Sequence, residues 1–195
     1  MTTVQADLVL SDSVFHAQLN APLEKVDLAK WLFHLPDAEY RRCAPPDHIA
    51  AGANTSDEGL PMSINVEMIG TALMVQHYVG EITEPHHCRL VSDSDVFAPQ
   101  GRTSVQVVWD LSVTALGEDR CEYTNAVTAH PTDAFLAFLR DHGIPFERAA
   151  RDRQSASSDH NSRETPRFAA SIERAALTGG SDQWAAGAGH RTAAR

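Results

Sequence analysis

The stretch Phe146–Leu177 constrains the fold most. Phe146, Ala149, Ala150, Ala156, Ser157, His160, Glu164, Phe168, Ile172 and Ala175 recur at spacings of three and four, the period of one helical face. A helix that seals a packed core carries Leu and Ile on such a face, whereas Ala, Ser, His and Glu leave space and hydrogen-bonding groups beneath it. The helix is therefore expected to cover a cavity. Residues 155–158 have poor helix propensity, and Pro166 removes a backbone donor with Thr165 available as an N-cap, so the pattern predicts one kinked helix or two collinear ones.

Upstream the period is mostly two. Residues 14–19 read as a first strand, with Phe15, Ala17 and Leu19 on one face. Asn20, Ala21 and Pro22 then open a helix that Pro36 ends, and a second short helix, Asp37–Cys43, runs into Pro45 and Pro46. Six strands are expected, over His48–Thr55 and over residues 62–69, 88–97, 103–115 and 120–129, with one more after 62–69 that carries Val75, Gln76, His77 and Tyr78, joined by short loops as an antiparallel meander. Gly70 and Thr71 close a two-residue hairpin that sets Val66 opposite Val75 and Ile64 opposite His77. Since Met62, Ile64, Val66 and Met68 form the apolar face, that face is expected to point inward and to carry His77 with it, leaving Glu67, Gln76 and Tyr78 outside. The same parity argument turns Val105, Val107, Trp109, Leu111 and Val113 inward, and Cys121, Tyr123, Asn125, Val127 and Ala129 with them. Thr132 and Asp133 cap a helix over residues 134–142 that leads into the long C-terminal one.

These elements make one α+β domain over residues 13–178. Residues 1–12 read as a flexible lead-in and residues 179–195, rich in Gly and Ala without periodicity, as a disordered tail. With 195 residues and 43% hydrophobic content the chain can bury a full core. The 16 basic and 26 acidic residues give a net charge of −10, which disfavours nucleic acid and anionic membrane surfaces, and no apolar run suits membrane insertion. Cys43, Cys88 and Cys121 lack metal or disulfide spacing, which fits buried thiols in a reducing cytoplasm.

The order of elements, together with residues 14–26, where a strand leads into Ala21, Pro22, Glu24 and Val26, and then Trp31, Leu32, Pro36 and Asp37, resembles the START-like or SRPBCC superfamily. Its members include birch-pollen-type ligand binders, lipid-transfer domains and polyketide aromatase/cyclases. The resemblance implies a helix-grip fold: a curved antiparallel sheet of six or seven strands wrapped around the C-terminal helix, two short helices after the first strand, and an apolar pocket between sheet and helix.

Within that frame the ligand-lining candidates are Val66, Val75, Trp109, Asn125, His160, Glu164 and Phe168, with His77 and Tyr123 as candidate acid–base residues. The leading expectation is a module that binds a small or medium hydrophobic molecule, aromatic or polyketide-like. A cofactor-independent cyclase or dehydratase is one alternative. A metal-dependent hydrolase is another, because His160 and Glu164, four apart on one helical face, can supply two metal ligands or an acid–base pair, with His77 and His16 as partners. That arrangement is similar to the zinc site of phloroglucinol-type C–C hydrolases, a START-like family. An isolated pair of this kind is common, and His160 also suits a solvated helix start, so no metal ligand and no cofactor is assigned. A homodimer is compatible with this reading.

Overall fold

A computed structural model describes residues 2–178. Seven strands form one antiparallel sheet in the order β1-β7-β6-β5-β4-β3-β2. They are β1 (Ser11–Leu19), β2 (His48–Thr55), β3 (Pro61–Ile69), β4 (Ala72–Glu84), β5 (His87–Ala98), β6 (Gly101–Gly117) and β7 (Arg120–Pro131). The helices are α1 (Leu28–Phe33), α2 (Asp37–Cys43), α3 (Asp133–Asp141) and α4 (Phe146–Leu177). The meander arises because each connection between β2 and β7 is a short turn, which only an antiparallel neighbour can satisfy. The first strand returns to the far edge beside β7, pairing from Ser11 with Ala129 to Leu19 with Cys121. This is the helix-grip arrangement.

Local chemistry explains most boundaries. The helix expected directly after Pro22 is instead a single 3-10 turn, Leu23–Lys25, followed by α1. Asp27 takes the capping role, its carboxylate accepting from the Lys30 amide at 2.8 Å. Thr132 caps α3 by accepting from the Phe135 amide at 3.1 Å. Gly80 stands where the β4–β5 register shifts, and a Cβ there would lie 2.6 Å from Thr83 Cγ2 and 3.2 Å from Phe33 Cζ. The absent side chain lets the sheet bend over α1.

Two further expectations change here. The long helix is continuous across Pro166, because that ring lies on the exposed side and Thr165, instead of capping a new helix, donates its hydroxyl to the Asn161 carbonyl at 2.6 Å. The lead-in is tied to the sheet: Gln5 N donates to the Pro131 carbonyl and Leu10 N to that of Ala129, while Thr3 accepts from the Asp133 amide and donates its own N–H to the Asp133 carboxylate. The tail expected over residues 179–195 lies outside the described residues.

The inner face of α4 divides in two. Phe168, Ala169 and Ile172 are buried against Trp31, Leu32, Leu90, Leu111 and Tyr123 and complete an apolar core. Trp31 Nε1 donates to Ser171 Oγ at 3.1 Å and fixes α1 to this half. Nearer its N-terminus α4 buries Ser157, His160, Asn161, Glu164 and Thr165, polar groups that must find partners. All three cysteines are free and buried. No described helix is long and apolar enough to cross a membrane.

Candidate functional site

The partners of that polar half come from the β3–β4 hairpin, and they require a correction. The pairing is as the turn predicts, Val66 with Val75 and Ile64 with His77. The face is the opposite one. Ser63, Asn65, Glu67, Gln76 and Tyr78 are buried on the concave side, whereas Val66 and Val75 are half-buried on the convex side and His77 is exposed there. The polar residues face inward because the inner face here looks onto the polar half of α4 instead of a hydrocarbon core.

Four donor atoms converge between hairpin, helix and β2. His48 Nε2 lies 3.2 Å from Glu164 Oε2 and 3.5 Å from Glu67 Oε2. His160 Nε2 lies 3.4 Å from each of the same two oxygens. His48, Glu67, His160 and Glu164 are all at least nine-tenths buried. His48 and Glu67 meet because β2 and β3 pair with these two residues in register. His160 and Glu164 are one helical turn apart and project from the same face.

Each donor is held from behind. His48 Nδ1 donates to the Tyr40 carbonyl at 2.7 Å, since a carbonyl only accepts, and this leaves Nε2 to face the cluster. The Tyr40 ring stacks on His48 at 3.7 Å, and its hydroxyl donates to Glu67 Oε2 at 2.8 Å. His160 Nδ1 meets Asp47 Oδ2 at 3.1 Å, and Arg163 pairs with the same oxygen. Asn125 Nδ2 donates to Glu164 Oε1 at 3.0 Å, its own carbonyl accepting from Trp109 Nε1 at 2.8 Å. Burial works against charge here. The neighbouring Glu67 and Glu164 nevertheless push the His160 pKa up to about 11, and His160 and His48 hold Glu164 down at about 2 against the same burial.

A cavity of about 30 Å³, room for one or two waters, opens beside the cluster. Glu67, His160 and Glu164 line one side; Tyr78, Gln76, Asn65 and Arg153 supply further polar groups; Trp109, Phe168, Ile69 and Val127 supply the apolar wall. Gln76 Nε2 donates to the Tyr78 hydroxyl at 3.1 Å, so the Tyr78 proton is free for a ligand. Burial raises the Tyr78 pKa well above the ordinary phenol value and keeps that proton in place.

Of the sequence candidates, His160, Glu164, Trp109 and Phe168 border the cavity. Asn125 sits behind it, orienting Glu164. Tyr123 is fully buried in the apolar core with its hydroxyl unpaired and does not border the cavity. His77 and His16 are exposed and apart from the cluster. Sequence reasoning missed His48, Glu67 and Tyr40. The available signal was the row Ser63, Asn65, Glu67 set by register against Gln76 and Tyr78, a polar face consistent enough to line a site.

The donor set fits a divalent transition metal, zinc first. Two imidazoles and two carboxylates are its common ligands, and tetrahedral donors at about 2.0–2.1 Å from zinc stand about 3.3–3.4 Å apart. The four histidine–carboxylate separations run from 3.2 to 3.5 Å, and His48, Glu67 and His160 each offer a donor within 4.8 Å of the other two. His160 Nε2 is buried without a hydrogen-bond partner although it faces two carboxylates. Carboxylate and carbonyl acceptors behind both histidines are the usual outer support of a metal ligand.

No family model and no curated protein sequence matches the chain. Among solved structures it is similar to the Zhui aromatase/cyclase from Streptomyces sp. R1128, with a TM-score of 0.55 at 10% identity over 87% of this chain and 98% of that one. The chain has the helix-grip fold of START-like proteins. More distant are a START superfamily protein from Mycobacterium smegmatis (TM-score 0.47, 10% identity, 86% and 97% covered) and a norcoclaurine synthase from Thalictrum flavum (TM-score 0.43, 13% identity, 88% and 90% covered). At these identities the likeness is one of fold, and function rests on the site.

Proposed function

We propose that His48, Glu67, His160 and Glu164 hold a divalent metal ion, zinc first, and that the chain is a metal-dependent hydrolase of a carbonyl-bearing aromatic or polyketide-like molecule. The observation that carries this reading is that His48, Glu67 and His160 each offer a donor atom within 4.8 Å of the other two, with Glu164 Oε2 3.2 and 3.4 Å from the two imidazole nitrogens. A cation held there would supply Lewis acidity to a carbonyl oxygen and to a water. The cavity borders the cluster on one side, as a reactive site needs and a sealed structural site does not.

The chain's own groups do the rest. Trp109 and Phe168 offer flat apolar surface to a ring. Tyr78, with its proton free, donates to a ligand oxygen, and Asn65 and Gln76 add hydrogen-bonding groups on the same wall. Asp47 and the Tyr40 carbonyl keep both histidines turned with Nε2 toward the cluster. This mixture of polar and apolar groups suits a substituted, oxygen-bearing ring better than a plain hydrocarbon, and a ring enters only as the cavity widens from its present volume of about 30 Å³.

Elemental analysis of the full chain, purified and then dialysed after zinc loading, tests the reading. About one zinc per chain is expected, lost in Glu67→Gln and in His160→Ala. A wild-type chain that retains no metal, yet binds an aromatic ligand, would overturn the hydrolase and leave a ligand-binding module.

A further inference from the structure

Arg153 is the charged group of the cavity that the proposed centre leaves without a role. It lies on α4 seven residues before His160, and Arg153, Ser157, His160 and Glu164 follow one another along the wall that α4 gives the cavity. Its Nε is buried and has no hydrogen-bond partner. Its Nη1 donates to Met74 Sδ at 3.3 Å, and a thioether is a weak acceptor. Among the described residues it forms no ion pair, whereas Arg42, Arg89, Arg102, Arg163 and Arg174 all do. Desolvating this part-buried guanidinium without a direct partner is costly, and burial pulls its pKa below the ordinary value against the attraction of Glu67.

The charge balance of the cavity sharpens the point. A divalent cation held by Glu67 and Glu164 would balance the charge of those two carboxylates and offset the attraction that Glu67 exerts on Arg153. The guanidinium is then the uncompensated charge of the lining. Its planar fork of donors matches a planar oxyanion, and such charge-assisted pairs are both stronger and more directional than neutral ones. Seven residues of helix set the Arg153 and His160 Cα atoms about 10 Å apart, the span of a substituted ring.

We infer that Arg153 binds a carboxylate on the ligand, so that the molecule taken at this site, for which the cavity of about 30 Å³ must widen, is an anionic aromatic or polyketide-like acid whose carbonyl reaches the His48–Glu67–His160–Glu164 cluster from the other end. The inference rests on the proposed site for the position of that carbonyl. The carboxylate contact itself does not.

The test compares 4-acetylbenzoate with 4-acetylbenzamide, nearly the same shape with and without the charge, by isothermal titration of the full chain. Zinc content is measured in the same samples. Wild type is expected to bind the acid at least tenfold more tightly than the amide. Arg153→Met should bring the acid down to the level of the amide with zinc content unchanged, and Arg153→Lys should keep part of the preference. Equal affinities in wild type, no binding of the acid, or a preference that survives Arg153→Met overturns the inference. If the preference behaves as expected but no zinc is found in any sample, the metal centre falls and the Arg153 contact stands.

Discussion

His48 and Glu164 are 116 residues apart in the chain, and His48 Nε2 stands 3.2 Å from Glu164 Oε2 with both side chains buried. The pair closes the fold around its site, because one residue opens β2 and the other lies in the middle of α4. Glu164→Gln keeps the shape and removes the charge. Without metal it should cost about 3 kcal/mol in urea unfolding, since breaking a buried pair strands the remaining charge. Zinc at a hundredfold excess over its dissociation constant should raise wild-type stability by about 2.7 kcal/mol, and EDTA should reverse the gain. Glu164→Gln should show little of that gain. Equal zinc stabilisation of both proteins would place the metal elsewhere.

Tyr40 touches two of the four donors by three routes: its ring stacks on His48, its carbonyl accepts from His48 Nδ1, and its hydroxyl donates to Glu67. Tyr40→Phe removes only the third. The Glu67 carboxylate then loses the bond that aims it, and zinc affinity should fall about 10- to 100-fold, the usual loss for an outer-sphere partner. Competition with a chromophoric chelator reads this directly. Unfolding in EDTA should change far less, because the ring and the carbonyl remain. An unchanged zinc affinity would remove Tyr40 from the site.

How much of this was legible follows from which rule governed each element. The meander, both short helices and the hairpin register were readable because turn chemistry and alternation act locally, and β6 and β7 turned their faces as parity predicts, Val105 and Val107 inward beside Cys121 and Asn125. The β3–β4 face was misread for a physical reason. Apolar content names the core side only where the sheet faces hydrocarbon, and here Ser63, Asn65 and Glu67 face the polar half of α4. His160 and Glu164 were visible as a helical pair. His48 was not, since its role depends on which α4 residue lies above β2, a tertiary fact that no local pattern encodes.

Glu39 provides a pH dependence independent of the cluster. It is 6% exposed and receives hydrogen bonds from Arg42 on its own helix and from Arg174 on α4. Burial raises its pKa, but Arg42, Ser171 and Arg174 together outweigh burial and leave it below the ordinary carboxylate value. A folded-state pKa below the unfolded one stabilises the protein above the unfolded pKa, about 4.5, and the contribution is lost as pH falls through the lower folded value. Both arginines are well over half exposed, so the contribution is small, about 1 kcal/mol. Glu39→Gln should lower stability by that amount at pH 7 and make it less sensitive to pH below 4.5. Parallel acid limbs for wild type and variant would show that the contact carries no net stability.

Gly70 joins the site-bearing hairpin to the helix that covers it. It has φ +62°, a left-handed conformation that other residues adopt at a cost, and a Cβ placed on it would stand 3.1 Å from the Ala156 Cβ on α4. Both effects oppose Gly70→Ala. The turn strain costs about 1 kcal/mol, and the crowding must either push the hairpin tip away from α4 or shift the helix. The second consequence concerns the site, because Glu67 is three residues before Gly70 and Arg153 three before Ala156. Gly70→Ala should therefore lower the urea midpoint and also weaken zinc binding, although it touches no donor. Ala156→Gly in the same chain relieves only the crowding, so it should restore zinc affinity while stability stays low. Loss of stability with zinc affinity unchanged in the single variant would mean that the hairpin tip yields without moving Glu67.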